Sequence, residues 1–88
     1  MQFLGKIPSR TRRFPRLRWR SNEYAFFECS LNGGEYRSCG NGMLGSWTKD
    51  ESPTGKQVFM VRGRDVNKNY GDPIAVTFIV GKFQVEVT

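Results

Sequence analysis

The sequence predicts an all-β domain, an antiparallel β-sandwich of about 6–7 short strands. Apolar residues alternate with polar ones at period two in several stretches, and no window places them at i, i+3, i+4 and i+7. Turn-forming clusters recur roughly every 8–12 residues, the spacing of a sandwich. Asn32-Gly33 separates two alternating runs and is the strongest short-range hairpin signal.

With 88 residues, 38% of them hydrophobic and including 7 Phe, 3 Tyr and 2 Trp, the chain has the apolar content of a folded domain. A chain of this size buries only about 60% of its unfolded surface, so its core is marginal and a covalent staple would help. No internal repeat, low-complexity tract or linker interrupts it, and residues 1–88 are read as one domain.

Residues 2–8 predict a short first strand that ends at Pro8. In Arg16-Leu17-Arg18-Trp19-Arg20, Leu17 and Trp19 face one way and the arginines the other, a strand with one wet face. Pro15 marks its start or an edge. Ser21-Asn22-Glu23 reads as a turn. The next strand runs from Tyr24 to Leu31, with Phe27, Cys29 and Leu31 on one face and Phe26, Glu28 and Ser30 opposite. After the Asn32-Gly33-Gly34 turn, a short return from Tyr36 stops near Cys39. Residues 40–55, rich in Gly, Ser, Asp and Pro, predict one short strand around 45–48 and loop elsewhere.

Lys56 to Asp65 is the clearest central strand. Phe59, Val61 and Gly63 point inward, and Met60, Arg62 and Arg64 outward. If it pairs antiparallel with strand 24–31, Glu28 falls across from Arg62 or Arg64, a contact of roughly 0.2–1 kcal/mol. Residues 67–73 form a turn cluster. Ile74 to Val80 is the last long strand, with Val76, Phe78 and Val80 on one side. After Gly81 the apolar phase slips by one, to Phe83, Val85 and Val87, as at a β-bulge.

The only two cysteines, Cys29 and Cys39, sit near the two ends of the predicted hairpin. That placement suits a disulfide and an oxidising compartment. Closing a loop of about eleven residues contributes roughly 3 kcal/mol in the loop-entropy model. Neither cysteine belongs to a Cys-X-X-Cys motif, and zinc lacks ligands in a chain with 0 His. Gln2 to Pro8 lacks the apolar stretch of a secretory signal, so the disulfide reading expects an excerpt of a longer multidomain extracellular protein. The rival is a complete cytosolic chain with two free thiols. Apolar runs of only a few residues predict no membrane insertion.

Phe27-Glu28-Cys29-Ser30-Leu31-Asn32-Gly33-Gly34, followed by Tyr36 and Cys39, resembles a recurrent extracellular module with the pattern Phe-Glu-Cys-Ser-Leu-Asp-Gly-Gly, an aromatic and a closing Cys. Gly55, Phe59, Val61-Arg62-Gly63 and Asp65 stand where its later half has Gly, Phe, Val-Arg-Ala and Asp. Asn69-Tyr70-Gly71-Asp72 falls near its turn. Asn32 replaces the usual Asp, the spacing from Gly55 to Phe59 is one residue longer, and segment 40–54 matches poorly. The resemblance covers roughly residues 14–80. It implies an immunoglobulin-like (fibronectin-III-like) sandwich, secreted or on a cell-surface ectodomain. It also implies a non-catalytic structural or adhesion role, with other proteins or neighbouring domains as partners.

The net charge of +6 favours acidic partners. The run Arg10, Arg12, Arg13, Arg16, Arg18 and Arg20 carries the alternative function, polyanion binding. On a strand, Arg16, Arg18 and Arg20 form a ladder with steps of about 6.6 Å. Arginine forks grip sulfate or phosphate bidentately. Heparin or another glycosaminoglycan is the expected ligand. Nucleic acid is not expected, because the aromatics fall on inward positions and leave no stacking platform. The competing reading is a solvated strand face whose charge guards a sheet edge.

Asp65, Asn67, Asn69 and Asp72 offer oxygen donors as a weak calcium candidate, but the stretch lacks the loop length and terminal Glu of a calcium loop and contains Lys68. A plain turn is favoured. Arg62-Gly63-Arg64-Asp65 is not an Arg-Gly-Asp tripeptide, and no Asn-X-Ser/Thr acceptor occurs. Without histidine, no Ser, Cys or Thr has its usual activating base, and no phosphate loop is present. The sequence therefore predicts no enzyme and no cofactor.

Overall fold

A computed structural model describes residues 1–50 and 53–81. Its strands are β1 (Gln2–Phe3), β2 (Arg10–Thr11), β3 (Leu17–Leu31), β4 (Arg37–Trp47), β5 (Gly55–Arg64) and β6 (Ile74–Val80). No helix occurs among the described residues. The strands join in one sheet of order β1-β3-β5-β6-β2, and β4 lies along the other side of β3. Pairings are antiparallel except for β2, which runs parallel to β6.

The sheet curls because β3 bends. Trp19 and Phe27 are both inward and lie eight residues apart, which a straight strand would convert to about 26 Å. Their ring centroids are 5.6 Å apart, edge to face. The register with β4 shifts between Arg20 and Ala25 and again between Phe26 and Glu28, and such irregularities bend and twist a strand. The outcome is a half-barrel with two facing walls. Gln2–Phe3, residues 17–20 and residues 44–47 build the first wall. Residues 25–31, β5 and β6 build the second.

Several expected boundaries change. Ser21-Asn22-Glu23 is no turn: β3 runs through it, and the anticipated break is the bend. The all-β class holds, but in place of the expected sandwich of two stacked sheets there is one continuous hydrogen-bonded sheet, curled through the β3–β4 ribbon. Segment 40–44, expected as loop, lies within β4. Gly40 and Gly42 hold φ of 120° and 114°, a backbone that side chains resist. They absorb the irregular register while hiding the strand's alternation. The first strand is two residues long rather than seven, and β2 is an addition, pinned by Ile79 N–H to Ser9 O and Gly81 N–H to Thr11 O.

β5 and β6 follow their predicted phase. Phe59, Val61, Phe78 and Val80 are buried, with Phe27 beside them on the same wall and Leu17 and Trp19 facing them from the first. Trp47 stacks on Phe59 at 5.1 Å. Phe14 enters from the segment that crosses between β2 and β3, and meets both Trp47 and Phe78 edge-on. The hairpin turn forms as expected. Asn32 and Gly33 take φ of 54° and 77°, the double left-handed geometry that Asn-Gly favours, and Gly34 N–H donates to Leu31 O. Asn32 also ties the turn to β5, accepting from Val58 N–H at 2.7 Å and donating to buried Gln57 at 2.8 Å. The phase slip at Phe83, Val85 and Val87 lies outside the described residues.

Candidate functional site

Two clusters dominate the outer surface, one on each wall. On the first, alternation in β3 buries Leu17 and Trp19 completely and turns Arg18 and Arg20 to water. Gly45 makes this possible, because a Cβ there would sit 2.3 Å from the Trp19 ring. The indole therefore lies against bare backbone, its Nε1 buried and without a hydrogen-bond partner among the described residues. Arg18 faces Ser46 across the ladder. Arg20 faces Leu44 on one side and Gln2 on the other. Arg16 is exposed just before β3, and Arg12 and Arg13 are exposed on the crossing segment. Arg10 stands apart, on β2 beside Ile79.

The structure thus gathers Arg16, Arg18 and Arg20 in one row, and none of the six joins an ion pair among the described residues. At Arg20 β3 has a neighbour on both sides. Arg18 is flanked likewise, by Ser46 and by Leu4, whose N–H donates to Arg18 O, while Arg16 precedes the strand.

On the second wall Glu28 pairs in register with Arg62, one of the two expected partners. Arg62 donates from Nε and Nη2 to Glu28 Oε1 at 2.9 and 2.8 Å, the only ion pair among the described residues. Its guanidinium lies 3.9 Å from the Tyr36 ring centre and 4.1 Å from that of Tyr70. Tyr70 also donates its hydroxyl to Glu28 Oε2. Arg64 sits over Phe26, and Tyr24 meets Phe26 edge-on.

Outward aromatics correct the expectation that these rings all point inward. Tyr24 is 55% exposed and Tyr70 51%. Both lie in or beside irregular backbone, at the β3 bend and in the turn after β5, where period-two reasoning does not apply. An open cleft of about 580 Å³ separates them, with Arg64 and Asp72 among its walls.

Cys29 and Cys39 form the expected disulfide, Cα atoms 5.8 Å apart, joining β3 to β4. The weak calcium candidate resolves into a capped turn. Asp65 Oδ1 accepts from the N–H groups of Asn67 and Asn69 at 2.8 and 2.9 Å, and Oδ2 accepts from the Asn69 side chain. These hydrogen bonds, the Asn69 backbone N–H first, hold the Asp65 carboxyl below the usual carboxylate range. Its oxygens already serve donors of the turn, and no three acidic or cysteine side chains converge as a metal site among the described residues. Gly63 faces inward as expected, where an added Cβ would lie 3.2 Å from Ala25 Cβ and 3.9 Å from Met1 Cε.

No family model, curated protein or solved structure matches this chain. Among the described residues no helix is long and apolar enough to cross a membrane.

Proposed function

We propose that this chain is a non-catalytic extracellular module of immunoglobulin-like, fibronectin-III-like type, which spaces neighbouring domains and contacts other proteins. The observation that carries the reading is the Cys29–Cys39 bridge. A disulfide persists where the surroundings are oxidising, and it stabilises a domain whose core is small. Two further features support it: the Asn32-Gly33 turn locked to β5 by Asn32, and the in-register meeting of strand 24–31 with β5. Both fall in the stretches that carry the resemblance to the module. Facing walls around one aromatic core, with outer surfaces rich in polar and ring contacts, suit a bead in a longer chain.

The test is thiol alkylation of the protein from its native source, without reductant, together with protease treatment of intact cells. Unmodified cysteines and cleavage from outside are expected. Freely alkylated thiols on a protease-protected protein would remove the reading.

A further inference from the structure

Charge in this chain is segregated along the sequence and in space. Residues 1–22 hold seven of the 14 Lys and Arg residues and none of the 8 Asp and Glu, while residues 23–88 hold the other seven basic groups and all eight acids. The whole positive excess therefore belongs to the first quarter of the chain. The first wall is made from that quarter and from residues 44–47, which add no charge. Like charges in a row repel, and Arg18 and Arg20, where β3 has backbone partners on both sides, are not needed as edge protection.

We infer that the outer face of the first wall binds a linear sulfated polysaccharide, with Arg16, Arg18 and Arg20 each engaging one sulfate. Arg12 and Arg13 extend the row at its N-terminal end. Strand geometry sets Arg18 and Arg20 about 6.6 Å apart, and each guanidinium presents a planar fork to two oxygens. Ser46, beside Arg18 in the ladder, supplies a neutral group for a sugar hydroxyl, while the Gln2 side-chain oxygen accepts from Arg20 Nη2 and Nε at 3.1 and 3.3 Å and holds that guanidinium in place. Nucleic acid fits less well. Tyr36 and Tyr70 already hold Arg62 between them, Tyr24 leans on Phe26, and none of these rings belongs to the first wall. The choice of a sulfated glycan rests on the extracellular reading; the existence of the site does not.

The experiment is heparin affinity chromatography and titration with a heparin-derived oligosaccharide over a salt series. It compares the wild type, R16Q/R18Q/R20Q, and a charge-matched control, K49Q/K56Q/K68N, whose side chains are exposed elsewhere. Circular dichroism and thiol counting verify that each variant folds with its disulfide intact. The wild type and control are expected to elute well above about 0.3 M salt and the arginine variant below it. The slope of log affinity against log salt should fall by about three, one per lost contact. Equal loss in the control, or weak retention of the wild type, overturns the site. Single-stranded RNA or DNA of matched length binding as tightly as the oligosaccharide overturns the glycan assignment. Thiol alkylation reads the extracellular proposal separately, so the two fail independently.

Discussion

Arg62 on the second wall and Arg20 on the first are both outward-facing arginines held in register by a neighbouring strand. Their surroundings differ. Beside Arg62 the ladder presents Glu28, and two tyrosines close over the guanidinium. Beside Arg20 it presents Leu44 and Gln2, whose neutral side-chain oxygen accepts from the guanidinium, and no carboxylate. Alternation decides which face an arginine takes. The residue in register decides whether its charge is neutralised by the fold or left unbalanced. One wall has used its charge internally, and the other offers it outward.

Four changes probe that contrast, beginning with the core both walls share. Trp19→Ala removes the fully buried indole that joins the walls, against Phe27 and Phe59. A loss of about 3–5 kcal/mol is expected, enough to unfold a small domain, and urea denaturation measures it. Should Trp19→Ala cost under about 1 kcal/mol, the walls are not held together as described.

Cys29→Ala with Cys39→Ala frees β4 from β3 at the hairpin end of the ribbon, and about 3 kcal/mol is expected to be lost. The same value should appear on adding reductant to the wild type. Glu28→Gln strips the carboxylate from Arg62. The pair is partly exposed, at 29% and 22%, so the expected cost is only about 0.5–1 kcal/mol and should shrink in high salt. A thermal melt at two ionic strengths checks both points.

The smallest effect concerns Asp65. Its folded carboxyl titrates below its unfolded value, so it adds stability above the ordinary carboxylate pKa of about 4 and loses it as pH falls through the lower folded value. Melting temperatures of the wild type and Asp65→Asn should converge below about pH 4. A gap that widens in acid would contradict the turn-capping role.

How legible this was depended on backbone regularity. β5 and β6 could be read because Phe59, Val61, Phe78 and Val80 keep strict alternation, and the hairpin because Asn32-Gly33 demands one turn geometry. β4 could be read only at its two ends, the return towards Cys39 and the stretch around 45–48, because Gly40 and Gly42 break the period between them while continuing the strand. The bend of β3 was hidden for a related reason: Ser21-Asn22-Glu23 has turn composition, yet the strand absorbs the change of direction without ending. The arginine row followed directly from alternation around Leu17 and Trp19. The clamp on Arg62 did not, because Tyr36 and Tyr70 reach it from turns, and local pattern carries no information on where a turn places its side chains.

The most direct measurement of the contrast is equilibrium denaturation of Arg62→Gln beside R16Q/R18Q/R20Q in one buffer. Losing an ion pair and two ring contacts should cost Arg62→Gln about 1–2 kcal/mol. The triple variant should match the wild type within about 0.5 kcal/mol, or exceed it through relief of repulsion. A triple variant that falls as far as Arg62→Gln would mean that the first wall's arginines hold the fold together, contradicting the claim that they face outward for a ligand.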